Sequence, residues 1–250
     1  MKEITSTSNP IIKQVKELKD KSSRYSLGQF VVEGANIIKD LPKSVDVLSL
    51  FVEKDKLSQF EDIVNKYDDS IVYLVDEKVM KALSDTQTPC GILCVVKLVT
   101  KQFTKEGNVV VLDGVSDPGN MGTIIRTCVA CGVKTIFAIN TVDYTSPKVV
   151  RSSMGGLFRV NIINSTYDEI FANLKDYNLV TLDMHGSDIF ENLDMPTPFA
   201  LVVGNEAHGV SQLLKEKCNK LISLPMVGDI ESLNAAVALS VALYQLTFRK

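Results

Sequence analysis

Several absences narrow the reading at once. No apolar run approaches the roughly 20 residues that a membrane-spanning helix needs, so no transmembrane segment is expected. The opening stretch MKEITSTSNPIIKQVKEL lacks the apolar core of a signal peptide. Five cysteines, an odd number without a secretion signal, point to a reduced, cytoplasmic protein. Cys128 and Cys131 have CxxC spacing, but no second Cys/His pair accompanies them. They sit in an apolar helical pattern and read as small buried hydrophobes, so no metal is expected. Net positive charge is also missing. Lys and Arg number 27 against 30 Asp and Glu, a balance of -3 that argues against non-specific coating of nucleic acid. Neither GxGxxG nor GxxxxGK(S/T) occurs, which removes the usual dinucleotide and P-loop signatures. No internal repeat or low-complexity tract is visible.

What is present suits a soluble α/β protein. The chain has 250 residues, 45% hydrophobic and 23% charged, enough for one large domain or two ordinary ones. Its first 24 residues hold Lys2, Lys13, Lys16, Lys19, Lys21 and Arg24 against Glu3, Glu17 and Asp20. Such a run is either a solvated helix face or a contact to RNA phosphates. From Asn9-Pro10, apolar residues Ile11, Ile12, Val15 and Leu18 recur at helical spacing, with Pro10 suited to the first turn. Strand patterns at 29–32, 45–52, 71–75 and 91–99 alternate with helical patterns at 35–41, 57–67 and 77–83. Residues 1–99 therefore read as a first domain, 100–107 (with the polar KQFTKEG) as a linker, and 108–250 as a second domain. The second series has strands at 109–112, 135–139, 159–163, 179–183, 199–203 and 221–224. Helices fall between them at 119–131, 148–153, 167–175 and 210–217. A long apolar helix from Glu231 to Phe248 closes the chain. This order predicts a mostly parallel sheet with helices on both faces.

Three loops interrupt the apolar runs of that second series. The first is DGVSDPGNMG, which opens a helix and places Asn120 and Arg126 six residues apart. Glycines allow close backbone approach, Asn offers donors and an acceptor, and Arg offers a planar fork for phosphate or carboxylate. The second, GNEAHG, follows the apolar run ending at Val203; the third, PMVGDIESL, follows Leu224. Loops at strand carboxyl ends are where open α/β sheets place ligands.

DPGNMGTIIRT, GNEAHG and LPMVGDIESLNAAVA, in this order, resemble the motifs of the SpoU/TrmH-type RNA ribose 2′-O-methyltransferases of the SPOUT superfamily, over about residues 108–250. ITSTSNPIIKQVKEL and FVVEGANII resemble, more loosely, the L30e-like substrate-binding domain that many of these enzymes carry. The third motif departs at Ala235 and Ala236, where the family usually has SLNVSVA. The resemblance implies S-adenosylmethionine as cofactor, an RNA ribose as methyl acceptor, a C-terminal trefoil knot around the cofactor, and a homodimer packed through the knotted domains. It assigns Asn120, Arg126, Glu206, Ser232 and Asn234 to the polar active site. It places Gly204, Asn205, Leu182, Leu224, Met226 and Leu233 at the cofactor, with the turn Met184-His185-Gly186 as another wall. Lys13, Lys16, Arg24, Glu33 and Gly34 are the residues expected to dock RNA. His208 lies in the second loop, but the family motif does not require it. Large-subunit rRNA is the expected substrate. A tRNA substrate and a catalytically silent RNA-binding protein of the same fold stay open as alternatives, and a nicotinamide-dependent oxidoreductase is disfavoured by the missing glycine pattern.

Overall fold

A computed structural model describes residues 1–99, 102–191, 195–230 and 232–249. Of the expected linker, Thr100 and Lys101 lie outside the described residues. The chain divides into two compact units: one combines Met1–Val99 with Thr145–Phe158, and the rest of the chain forms the other. The insert Thr145–Phe158 was expected in the second domain and belongs to the first unit instead.

The first unit is built on a five-stranded mixed sheet of β1 (Lys2–Ile4), β2 (Gln29–Glu33), β3 (Val47–Glu53), β4 (Val72–Val75) and β5 (Ile92–Lys97). The strand order is β1-β4-β3-β5-β2. Helix α1 (Pro10–Glu17) starts where the Asn9 side chain accepts from the Ile11 N–H, and Pro10 lacks the donor that a first turn leaves unused. It buries Ile12 and Val15 against the sheet core that includes Phe51, Val79 and Leu93. A second helix, α2 (Lys21–Leu27), has no apolar periodicity and stops at Gly28, whose φ of 63° suits glycine. Then come α3 (Ala35–Lys39), α4 (Glu61–Val64) and α5 (Glu77–Leu83). The helix expected over 57–67 is broken. A 3-10 turn, Lys54–Gln59, precedes α4, and Phe60 between them leaves the helical region at φ -121° while burying its ring.

Two of the residues expected to dock RNA in this unit, Arg24 and Glu33, are not at its surface. Arg24 is 3% exposed. Its guanidinium donates to Thr145 Oγ1 at 2.9 Å and to the Leu18 and Lys19 carbonyls at 2.9 and 2.7 Å. Glu33 is 6% exposed and accepts from the Ser84 and Thr86 hydroxyls at 2.6 and 3.0 Å. Gly34, half-buried at φ 125°, is the turn into α3. Arg24 and Glu33 are thus internal polar links, because a buried charge is stable only when it is paired or hydrogen-bonded. Lys13 and Lys16 are exposed, one helical turn apart on α1.

The second unit opens with β6 (Val109–Asp113), α6 (Pro118–Ala130) and β7 (Thr135–Ile139). The chain then enters the insert, whose helix α7 (Pro147–Ser152) packs on β2 and whose Phe158 ring stacks on Phe30 at 6.1 Å. It resumes with β8 (Asn161–Asn164), α8 (Tyr167–Asn173), β9 (Asn178–Asp188), β10 (Phe199–Gly204), α9 (Gln212–Lys215), β11 (Lys220–Ser223) and α10 (Ala235–Phe248). The six strands are all parallel, in the order β11-β9-β10-β6-β7-β8. Strands β6 and β10 lie at the centre and are buried throughout, as a sheet covered on both faces requires. After β8 the chain returns past β6 to lay β9 and β10 on its other side. The strand order therefore reverses at β6, and the carboxyl ends of β6 and β10 flank that switch point.

Helix α10 begins at Ala235 rather than at Glu231, which lies outside the described residues. The Asn234 side chain caps it, accepting from the Ala236 and Val237 N–H groups. Ser232 and Leu233 are consequently loop residues.

Candidate active site

The second loop is shaped by a glycine. Gly204 ends β10 beside Asp113 of β6. A Cβ on Gly204 would stand 2.0 Å from the Gly209 carbonyl carbon, so only glycine lets the following residues fold back over the strand end. Asn205 and Gly209 close that fold with reciprocal backbone hydrogen bonds of 2.9 Å. The Asn205 amide donates to the Gly114 carbonyl at 2.8 Å, and its oxygen accepts from the Ala207 and His208 N–H groups at 2.9 and 3.2 Å.

Glu206 then joins the loops. Its Oε1 accepts from Asn120 Nδ2 at 2.8 Å, and its Oε2 from Ser116 Oγ at 3.1 Å. The Ser116 and Asp117 N–H groups stand at 3.4 Å. Asn120 Oδ1 accepts in turn from Asn234 Nδ2 at 2.9 Å, while Asn234 Oδ1 caps α10. Glu206, Asn120 and Asn234, one from each motif, thus form a single relay. Desolvation would raise the Glu206 carboxyl. Hydrogen bonds from Asn120 and from the backbone of Glu206, Ser116 and Asp117 outweigh it and hold the pKa below the ordinary value of 4.5.

Beside the relay opens a cleft of about 530 Å³, within the range of small-molecule sites. All six expected cofactor residues line it: Leu182, Gly204, Asn205, Leu224, Met226 and Leu233. Glu206 and Ser232 line it as well; Asn120, Asn234 and Arg126 do not. One wall is a bulge in β9. The register steps from Leu221 opposite Thr181 to Ile222 opposite Ser187, so residues 182–186 are skipped by the ladder to β11. Met184-His185-Gly186 is therefore part of a strand that continues to Asp188, not a turn that ends one. Gly186 closes the bulge, since a Cβ there would lie 2.5 Å from the Ile222 backbone.

Two charged lining residues escaped the reading of the motifs. Lys215 of α9 pairs with Asp183 at 2.5 Å, and the His185 N–H donates to Asp183 at 2.9 Å. The Lys215 hydrogen bond holds the Asp183 carboxyl below its ordinary value, helped by the His185 N–H. An acidic residue at the end of an apolar strand, here TLD, was the available signal.

Arg126 lies exposed on α6 and has no hydrogen-bond or ion-pair partner among the described residues. His208 is an exposed loop residue whose side chain does not line the cleft. Cys128 is fully buried, and burial pushes its thiol far up. Among the described residues no three His, Cys, Asp or Glu side chains gather into a metal site.

The donor set decides what the cleft suits. Among the described lining residues the lysine, Lys215, is engaged by Asp183 and is not set aside for a pyrophosphate. Strand-end backbone, apolar walls and the Glu206 and Asp183 carboxylates suit a small ligand without net negative charge.

The sequence profile of the SpoU rRNA Methylase family matches residues 107–244. The chain belongs to that family. Like its members it is an RNA methyltransferase that uses S-adenosylmethionine. The MRM3-like substrate binding domain matches residues 9–94. Among curated relatives, the 23S rRNA (guanosine(2553)-2′-O)-methyltransferase RlmP of Bacillus subtilis is 31% identical, covering 98% of this chain and 99% of its own. Among solved structures, the AdoMet-bound rRNA methyltransferase of Sinorhizobium meliloti is 28% identical with a TM-score of 0.84, covering 98% of this chain and 96% of that one. The SpoU methyltransferase AviRb of Streptomyces viridochromogenes, in complex with AdoMet, is 25% identical with a TM-score of 0.82, covering 96% of this chain and 97% of that one.

Proposed function

We propose that this SpoU-family protein methylates a ribose 2′-hydroxyl in large-subunit rRNA. The observation that carries the reading is the Glu206–Asn120–Asn234 relay, which gathers one polar residue from each motif beside the cleft. The RlmP relative, with its 23S rRNA activity and near-complete coverage, supports the substrate class.

When bound, S-adenosylmethionine supplies an electrophilic methyl group on a positively charged sulfur. The fold-back at Gly204 and Asn205 offers backbone to the cofactor, and Leu182, Leu224, Met226 and Leu233 offer apolar surface. Asn120 and Glu206 hold the acceptor ribose and the surrounding loops; Ser232 and Asn234 order the third loop. A guanidinium is a very weak base in proteins, so that role is not given to Arg126. It clamps the phosphate of the target nucleotide and stabilises the developing alkoxide, and the 2′-hydroxyl proton leaves to a phosphate oxygen or to water. Much of the acceleration comes from holding hydroxyl and methyl at about 3–3.5 Å in near-attack geometry.

In this reading residues 1–99 dock the RNA, with Lys13 and Lys16 touching phosphate, and residues 108–250 carry the chemistry. The C-terminal strands thread a trefoil knot around the cofactor, and two copies pair through α10. That helix supports pairing because Val237, Val241, Tyr244 and Phe248 are all exposed along it at helical spacing. No helix among the described residues is long and apolar enough to cross a membrane, and the free cysteines suit the cytoplasm.

Mapping ribose methylation in total RNA from cells with and without the protein tests the substrate. One missing mark in the large-subunit rRNA is the expected result. A missing tRNA mark would move the substrate, and an unchanged map would overturn the reading.

A further inference from the structure

Asp113 carries no role in the motifs, yet it occupies a distinctive place. It is the last residue of β6, on the central strand at the switch point, and only 4% exposed. Its two carboxylate oxygens each take one donor. Oδ1 accepts from the Tyr167 hydroxyl, in the first turn of α8, at 2.9 Å. Oδ2 accepts from the Ser211 backbone N–H, at the start of α9, at 2.7 Å. The neighbouring Gly114 carbonyl holds Asn205. Residues 113 and 114 therefore grip both ends of the loop 205–211, which carries Glu206 and folds over the cleft.

We propose that Asp113 is a positioning residue for the cofactor loop, acting through Ser211 and steadied by Tyr167. The inference rests on the cofactor reading of the cleft. Its physical basis is a shortage of alternatives. The Ser211 N–H is part-buried against the Asp113 carboxylate and can only donate, so removing the acceptor costs that bond and loosens the end of the loop. The Tyr167 hydroxyl holds the other oxygen, which fixes the plane of the carboxylate. The loop lies flat against the strand end through Gly204, so a displacement at Ser211 reaches Glu206 directly. Tethering the loop before any ligand arrives lowers the ordering cost of binding.

Substitution by asparagine separates hydrogen bonding from charge. The Asn oxygen can face the Ser211 N–H, and its amide can donate to Tyr167, whose hydroxyl also accepts. The experiment is calorimetric titration of the full-length protein with S-adenosylhomocysteine, with thermal melts run alongside. Wild type should bind. Asp113→Ala should bind about tenfold more weakly, Tyr167→Phe about threefold more weakly, and Asp113→Asn within about twofold of wild type. Melts alone would not reveal the role, since a merely structural bond would lower the Tm and leave affinity unchanged. Wild-type affinity in Asp113→Ala overturns the proposal, as does an Asp113→Asn no better than alanine. If Asp113→Ala does not fold, Tyr167→Phe decides, and wild-type affinity there overturns it. Failure of the wild type itself to bind S-adenosylhomocysteine overturns the cofactor reading and this proposal with it.

Discussion

Asn234 Nδ2 donates to the side-chain oxygen, Oδ1, of Asn120 at 2.9 Å across 114 residues of chain. Asn234 Oδ1 meanwhile caps α10, and the Asn120 Nδ2 is already committed to Glu206. Neither side chain can flip without breaking a second bond. Asn234→Asp should therefore split stability from function. Aspartate caps a helix about as well as asparagine, so the Tm should hold. Its second oxygen would face the Asn120 oxygen, and methyl transfer should fall by about tenfold or more. Steady-state kcat/KM and a thermal melt on the same sample check this.

Arg126 separates RNA chemistry from cofactor binding. It stands outside the cleft lining, so Arg126→Ala should leave S-adenosylhomocysteine affinity unchanged. Methyl transfer should drop on the order of 10²-fold or more, as for the loss of a charge-stabilising group. Arg126→Lys keeps the charge but loses the planar fork. Near-wild-type methyl transfer by that variant, with RNA binding intact, would show that the fork is not needed.

Acid should loosen the relay with a defined sign. The folded Glu206 pKa lies below 4.5, so its contribution is present above that value and is lost as pH falls through the folded pKa. The Tm gap between wild type and Glu206→Gln should be widest near neutrality and close below pH 4.5. A gap independent of pH would assign the effect to shape rather than to ionisation.

Pairing through α10 should depend on its exposed apolar stripe. Val241→Glu places a charge among Val237, Tyr244 and Phe248 and should turn a dimer into a monomer in sedimentation or light scattering. Burying such side chains removes roughly 1.5–3 kcal/mol each from water exposure, while burying an unpaired carboxylate is opposed by several kcal/mol. A dimer that survives the substitution would place the interface elsewhere.

The loops were legible because each follows a buried strand and is punctuated by glycine or proline, so Asn120, Glu206 and Asn234 stood out against apolar runs. What stayed hidden depends on tertiary pairing. β1 is three residues long with two of them exposed, and its place beside β4 cannot be read locally. The β9 bulge is defined only by its partner β11. Arg24 resembles the lysines around it in composition, and its inward turn onto Thr145, 121 residues away, has no local signal. Asp113 only opens the first loop in the sequence, and its two donors come from the starts of distant helices.

The placement of Thr145–Phe158 with the first unit bears on how such proteins can be recombined. Val149 and Val150 are buried there, and Arg151 lies 3.7 Å from Glu33 and 3.0 Å from Asp85. A cut after Val99 would strip that insert of the surface it covers, leaving apolar side chains wet and Arg151 without its acids. Exchange of the front half between relatives would succeed only if the donor's sheet matched this fourteen-residue graft, so the two halves are expected to be inherited as a set.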